Sequence, residues 1–132
     1  DESLESIGMA GPALDAAVRL AVLATRAGAG AIVCSPREVA AIRAAVPSDI
    51  VLITPGVRPA GASADDQRRT ATPEQALADG ADLLVIGRPI TGAVDVGAAA
   101  AALADACRVA LDARVALGAR TAQPGHGARV AP

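Results

Sequence analysis

The sequence predicts an α/β fold built around a parallel β-sheet. Segments with the spacing of amphipathic helices alternate with short segments that are continuously apolar. Continuous apolar segments of this length are typical of strands that are buried on both faces, as the strands of parallel sheets are. The resulting order is helix, strand, helix, strand, helix, strand, helix, which requires right-handed crossover connections between neighbouring strands.

The first half of the chain contains two predicted helices and two predicted strands. Residues 12–27 place their apolar side chains on one helical face, and two glycines end that helix. The apolar run 31–34 predicts a strand. The Ser-Pro-Arg-Glu sequence that follows is a capping box with proline at the first helical position, so we expect a helix over 35–46. Residues 50–54 are apolar on both faces and predict the second strand.

The second half contains a long loop, a short helix, a strand and a long helix. Residues 55–71 hold two prolines, two glycines and several charges without any period, which indicates a loop. A second capping box opens a short helix over 72–80, where a glycine closes it. The third strand is predicted at 82–87 and a turn at 88–92. The alanine-rich run 96–117 predicts the last helix.

Three strands are few for a parallel sheet, because the two outer strands remain unpaired and apolar. A closed (β/α)₈ barrel has eight. The chain is therefore either a small open sheet or the back part of a barrel, and its start in mid-pattern favours the second. We expect residues 1–117 to form the last three strands of a barrel with their helices, and residues 118–132 to form a disordered tail.

Composition excludes several classes of function. With 132 residues the chain is one domain or part of one, and with 52% apolar residues it is not a disordered segment. It contains no Phe, Tyr or Trp, so stacking on nucleobases is excluded, and a net charge of −2 argues against binding to nucleic acid. All twelve basic residues are arginines, so the chain has no lysine for a Schiff base or for proton transfer.

Metal sites, disulfides and membrane association are not expected either. Cys34 and Cys107 are too few and too far apart for a disulfide framework or a zinc site, and the single His126 lies in a glycine-rich segment. The acidic start lacks the features of a signal peptide, and no apolar run reaches the length of a spanning helix. We expect a cytoplasmic protein that binds no membrane.

Candidate functional residues lie where the predicted strands end, because ligands of parallel α/β proteins bind at the carboxyl ends of strands. Three segments are expected at this rim: residues 34–35, 54–58 and 87–88. The last two combine glycine with arginine. Glycine lets backbone N–H groups approach an anion, and the guanidinium group offers paired hydrogen bonds to phosphate oxygens. The sequence therefore predicts a phosphate-binding rim, with the long loop as a lid or binding loop.

Simpler interpretations of the same residues stay open. The pair Gly87 and Arg88 is also typical of an ordinary surface turn. Cys34 is expected to be a buried apolar side chain rather than a nucleophile, since no histidine is available to activate it. Ser35 is expected to serve only as a helix cap, and His126 to be inert.

Several motifs together resemble a known family over residues 4–104. They are, in chain order, residues 54–61 (TPGVRPAG), 66–69 (DQRR), 72–76 (TPEQA), 80–82 (GAD) and 85–91 (VIGRPIT). This series resembles bacterial orotidine 5′-phosphate decarboxylase, in its C-terminal portion only. The long, ordered motifs make the resemblance specific, whereas a single Gly-Arg pair would not.

The resemblance implies a (β/α)₈ barrel that converts orotidine 5′-monophosphate to UMP and CO₂ in pyrimidine biosynthesis, usually as a homodimer and without a metal or organic cofactor. It implies that Arg58, Gln67, Gly87 and Arg88 bind the substrate. Gln67, Arg88 and the backbone at Gly87 would hold the phosphate, and the stretch from Arg58 to about Thr70 would close over it.

The family's chemistry depends on an alternating Asp/Lys array near its third strand, and this chain has no lysine. We therefore expect no catalytic residues in this chain and no activity of the chain alone. It would be a truncated gene product, a cut fragment or one part of a split protein. Three alternatives remain open: another sugar-phosphate barrel lyase, a non-catalytic phosphate-binding module, and a fragment without function.

Overall fold

The computed structural model describes residues 5–9, 11–59 and 71–121, with side chains up to residue 116. Helices and strands alternate as predicted. In chain order they are α1 (Ala13–Arg26), β1 (Ala31–Val33), α2 (Val39–Ala45), β2 (Val51–Pro55), α3 (Pro73–Ala78), β3 (Leu83–Val85), α4 (Arg88–Thr91) and α5 (Val96–Thr121). None of these helices is long and apolar enough to cross a membrane.

The three strands form one parallel sheet in the order β1-β2-β3. Ala31 is paired with Val51 in the first ladder, and Ile53 with Leu83 in the second. Strand order follows chain order, so both crossovers run in the same direction. Right-handed crossovers then place the connecting helices on the same face of the sheet.

Burial confirms that the helices described here cover only one face of the sheet. On β2, Leu52 and Thr54 are completely buried and point toward the helices. On the edge strands, Val33, Leu83 and Val85 point to the other face and are more than half exposed. The expectation that every strand is buried on both faces is therefore wrong for β1 and β3. Helices on one face only are typical of an arc of a barrel, since doubly wound sheets carry helices on both.

The core lies between the covered face of the sheet and helices α1, α2 and α3. Its side chains are aliphatic or small, in keeping with the absence of aromatic residues. The buried cluster consists of Ala21, Cys34, Val39, Ile42, Val46, Ile50, Leu52, Val57, Ala76 and Ala81.

Glycines end α1 and α3 in the same way. Gly28 (φ +99°) and Gly80 (φ +111°) adopt the left-handed conformation just beyond each helix. Gly28 N donates to Thr25 O, and Ala29 N donates to Ala24 O, each at 3.0 Å. The same pair of bonds recurs after α3, so both ends are Schellman motifs. The predicted helix end at Gly80 is confirmed.

The two predicted capping boxes are only half formed. Thr72 Oγ1 accepts a hydrogen bond from Gln75 N at 3.2 Å, and α3 begins directly after it as predicted. At the first box, Ser35 N donates to Glu38 Oε2 at 2.9 Å, while Ser35 Oγ is buried without a partner in the described chain. Because this contact closes a separate turn, α2 begins at Val39 and not at residue 35, and the hydroxyl of Ser35 is not a helix cap.

Two further boundaries differ from the prediction. The segment after β3, which was predicted as a turn, forms the short helix Arg88–Thr91. Pro89 lies in its first turn, where a helix tolerates proline because the missing N–H needs no partner there. Helix α5 continues to Thr121, so residues 118–121 are helical and not part of a disordered tail. Residues 122–132 lie outside the described part of the chain.

Candidate functional site

A cavity of about 220 Å³ opens at the carboxyl ends of β2 and β3. It is lined by Gly56, Val57, Arg58, Val85, Gly87, Arg88 and Pro89. Among the described residues, the lining includes two arginines and no acidic side chain. It combines guanidinium groups with exposed backbone, a combination that suits an oxyanion such as phosphate.

The segment after β2 is held at the base of the long loop. Gly56 (φ +77°) turns the chain out of the strand, and the next residue, Val57, is buried. Val57 pairs with Ala71 in a parallel bridge, and Arg58 N donates to Ala71 O at 3.0 Å. The two ends of the loop therefore meet beside the cavity, and this closed base holds the backbone of Arg58 there.

The segment after β3 turns at once into the short helix α4. Gly87 O accepts hydrogen bonds from Ile90 N at 2.8 Å and from Thr91 N at 3.1 Å, which places Arg88 at the first helical position. A Cβ atom built on Gly87 would meet no heavy atom of the described chain within 4 Å. The space beside the Gly87 backbone is therefore open.

The two arginines differ in exposure. Arg58 is half-buried and Arg88 is exposed. The ion pairs found within the described residues join Asp82 to Arg43 and Arg114, and Asp105 to Arg108. Arg88 takes part in none of these pairs, so its charge is available to an anion in the cavity.

The third predicted rim segment, residues 34–35, does not line this cavity. Cys34 follows β1, pairs with β2 through Cys34 N and Ile53 O at 3.0 Å, and is buried in the core, as predicted. Burial raises the pKa of its thiol, and Glu38 adds to that increase; the neighbouring Thr54 and Arg43 lower the pKa by less. A buried thiol with a raised pKa is a poor nucleophile.

The other residues that the sequence singled out lie outside the described part of the chain. Gln67 and most of the loop that would close over the phosphate, residues 60–70, lie outside the described part of the chain. His126 lies outside it as well. Within the described residues, no three His, Cys, Asp or Glu side chains come close enough to hold a metal ion.

Sequence reasoning missed a second polar cluster, at the opposite end of the strands. Asp82 binds Arg43 and Arg114 there. These arginines are 39 and 32 residues away from it in the sequence, so no local spacing could indicate the cluster. The only signal was an acidic residue at the start of an apolar strand.

Comparison with known proteins identifies the family. The family model described as "Orotidine 5′-phosphate decarboxylase / HUMPS family" matches residues 2–103, about three-quarters of the chain. The chain belongs to this family. The predicted resemblance is thereby confirmed, and so is the interpretation of the sheet as part of a barrel, since solved structures of the family match the same α/β arrangement.

This chain matches only part of each of the similar proteins. An orotidine 5′-phosphate decarboxylase of Thermobifida fusca is 68% identical over 104 residues, which cover 79% of this chain and 45% of that protein. One of Frankia casuarinae is 62% identical and covers 77% of this chain and 37% of that protein. The chain thus spans less than half the length of these curated relatives.

A solved structure shows the same relation. The crystal structure of orotidine 5′-phosphate decarboxylase from Lactobacillus acidophilus matches with a TM-score of 0.62 and 34% sequence identity. The match covers 74% of this chain and 38% of that chain. The three-stranded sheet of this family member therefore corresponds to part of the fold of the longer enzyme.

Proposed function

We propose that this chain supplies the phosphate- and nucleotide-binding loops of an orotidine 5′-monophosphate decarboxylase, which forms UMP and CO₂ in pyrimidine biosynthesis. The observation that carries the proposal is the cavity between the ends of β2 and β3. Arg58 and Arg88 reach it from two different loops, and none of the described residues that line it carries a carboxylate that would repel a phosphate. Similarity to decarboxylases over most of the chain supports the choice of substrate.

Each residue has a distinct role in this proposal. Arg88, which is exposed and outside the ion pairs described above, binds phosphate oxygens through its guanidinium group. The backbone N–H of Gly87 adds a donor where no side chain obstructs the approach. Arg58, at the closed base of the loop, binds the nucleotide from the other side. Gln67 is assigned to the phosphate on family resemblance alone.

Catalysis in this proposal comes from residues outside the given chain. The chain has no lysine, so it cannot supply the proton donor that the resemblance implies. Binding of the phosphate would instead order the closed site, where the remaining residues stabilise the transition state. Activity therefore requires the complete barrel, for which we expect a cytoplasmic homodimer, and the isolated chain is expected to be inactive.

A second candidate function is a non-catalytic phosphate-binding module. The same cavity and the absence of lysine favour it. The two functions differ in one outcome: combined with the missing part of a decarboxylase of the family, a decarboxylase fragment restores turnover of orotidine 5′-monophosphate, and a binding module does not. Turnover of a sugar phosphate in the same mixture would instead favour another barrel lyase.

The proposal is tested by titrating the full chain with inorganic phosphate and with UMP in a calorimeter. Arg88→Ala is expected to weaken binding of both ligands by roughly 10- to 100-fold, the usual effect of losing a hydrogen bond to a charged group. Its fold should persist, because the Arg88 side chain is exposed. Arg108→Ala is the matched control, since Arg108 is an exposed arginine on α5 that pairs with Asp105 on the same helix.

Equal affinity of the Arg88→Ala and Arg108→Ala proteins for phosphate would contradict the role of Arg88. Failure of the unmodified chain to bind either phosphate or UMP would contradict the proposed binding function as a whole.

A further inference from the structure

The amino ends of β2 and β3 are joined by a single side chain. Asp82, the residue before β3, accepts a hydrogen bond from Leu52 N on Oδ2 at 2.9 Å, and its own backbone N donates to Leu52 O at 2.9 Å. The carboxylate also binds Arg43 Nη2 through Oδ2 and Arg114 Nη2 through Oδ1, the latter at 3.2 Å. We call Asp82 with these three partners the Asp82 clamp.

The clamp extends a short ladder of hydrogen bonds. The β2–β3 pairing has three register pairs, which run from Ile53 with Leu83 to Pro55 with Val85. The side chain of Asp82 satisfies the backbone of Leu52 one position before the ladder begins. A slip by one residue would break both of these contacts and would turn every side chain of β3 to the opposite face. Asp82 therefore fixes the register of β2 against β3.

Further hydrogen bonds hold the clamp in place. Arg43 on α2 also donates hydrogen bonds to Gly80 O at 3.2 Å and to Ile50 O at 2.9 Å. Gly80 lies just before β3, and Ile50 lies just before β2. A Cβ atom on Gly80 would lie 2.9 Å from Arg43 Cγ, so the glycine leaves room for this arginine. Arg114 on α5 donates to Ala81 O at 2.7 Å. The carboxylate is thus oriented from two sides.

The register of these two strands determines the geometry of the candidate phosphate site. The last pair of the ladder, Pro55 with Val85, leads directly into the segments that carry Arg58 and Arg88. We infer that Asp82 is a positioning residue of the phosphate site: it acts from the opposite end of the sheet by fixing the register that brings these two arginines to one cavity. This inference rests on the proposed function, because it assigns Asp82 to the same site.

The test compares phosphate affinity with strand register in the full chain. Asp82→Ala removes every side-chain contact of the clamp and is expected to weaken binding of inorganic phosphate about tenfold or more, the order of effect that misplaced binding groups produce. Nuclear Overhauser contacts between β2 and β3 should weaken in the same protein. The phosphate affinity is corrected for the fraction of folded protein, which circular dichroism measures, because partial unfolding lowers the apparent affinity by that fraction.

Two control variants separate positioning from general stability. Arg108→Ala removes an exposed arginine of α5 that is not part of the clamp, and is expected to bind phosphate as the unmodified chain does. Leu103→Ala removes a buried side chain of α5 without touching the clamp, and is expected to lower stability with phosphate affinity unchanged. If Asp82→Ala does not fold, Asp82→Asn takes its place. It keeps one oxygen for Leu52 N, lacks the charge for the arginines, and should bind phosphate several-fold more weakly.

The outcomes distinguish this inference from the proposed function. If the unmodified chain does not bind phosphate, the proposed function fails, while the strand contacts of the Asp82 variants still report whether Asp82 fixes the register. Strand contacts and phosphate affinity unchanged in Asp82→Ala, or in Asp82→Asn where that variant is used, would overturn the inference.

Discussion

Cys34 lies at the same rim as Arg58 and Arg88 but belongs to the core and not to the phosphate cavity. It lies at the carboxyl end of β1, yet its side chain points into the core and is 5% exposed. Burial makes the charged thiolate unfavourable and raises the pKa of this thiol above its ordinary value of 9.0. Burial makes Cys34 a poor nucleophile, and it also couples ionisation of this thiol to unfolding.

We predict that the free energy of unfolding falls as pH rises above about 9. The unfolded chain releases the thiol proton at its ordinary pKa, whereas the folded chain retains it to higher pH. The stabilisation is therefore complete below the pKa of the unfolded chain. It is lost as the pH rises from that value to the pKa of the folded chain. Between the two pKa values each pH unit lowers stability by up to about 1.4 kcal/mol. Chemical denaturation followed by circular dichroism between pH 8 and pH 11 measures this.

The chain contains no lysine and no tyrosine, the side chains whose titration normally dominates between pH 9 and pH 11. The pH dependence in this range can therefore be assigned to the cysteines. Cys34→Ala should flatten the pH dependence. The pH dependence of Cys107→Ala is the comparison. Burial raises the pKa of the Cys107 thiol as well, but Cys107 is only partly buried whereas Cys34 is buried. A Cys34→Ala protein that loses stability as steeply as the unmodified chain would contradict the prediction.

At the scale of elements, α5 packs against α3 and α4 but buries little apolar side-chain surface. Leu103 is the buried apolar side chain of this helix within the described residues, and it packs where α5 crosses α3. Farther along, Arg114 donates to Leu77 O at 3.2 Å and to Ala81 O at 2.7 Å. Val109 and Val115, by contrast, are about 70% exposed. Within the described residues, the buried Leu103 and the hydrogen bonds of Arg114 are therefore the main specific attachments of this alanine-rich helix.

We expect Leu103→Ala to lower the free energy of unfolding by about 2–4 kcal/mol, the usual range for removing a buried leucine side chain. Hydrogen exchange should accelerate along α5 more than in α1 and α2. Val109→Ala is the matched control on the same helix, and it should change stability by less than about 0.5 kcal/mol because Val109 is exposed. Similar destabilisation by the two substitutions would show that α5 is not anchored at Leu103.

The order and type of the main elements were predictable because they depend on local signals. Apolar runs marked all three strands, and glycines marked the ends of α1 and α3. The start of α2 was not predictable, since the capping box at Ser35 closes a separate turn. Arg58 and Arg88 could be assigned to one rim because parallel strands end at the same edge. The Asp82 clamp could not, because its partners are joined only by tertiary structure.

At the scale of the whole molecule, the sheet has one face that no described element covers. Val33 on β1 and Leu83 and Val85 on β3 present apolar side chains there. No strand among the described residues pairs with the outer sides of the two edge strands. In a closed barrel such side chains fill the interior in layers. The matched region covers only 45% and 37% of two of the relatives, and their additional length is available to complete such an interior.

The isolated chain is therefore expected to self-associate through this face, because exposed apolar strands at a sheet edge favour pairing with other copies. Val33→Asp places a charge on the face without touching the core, and should weaken self-association by about tenfold or more, since an unpaired charge is costly to bury. Sedimentation velocity over a series of protein concentrations measures the effect. Val94→Asp is the matched control, because Val94 is fully exposed and lies in the turn between α4 and α5, away from the sheet. A chain that stays monomeric at all concentrations, or equal weakening by the two substitutions, would contradict the assignment of this face as the place of association.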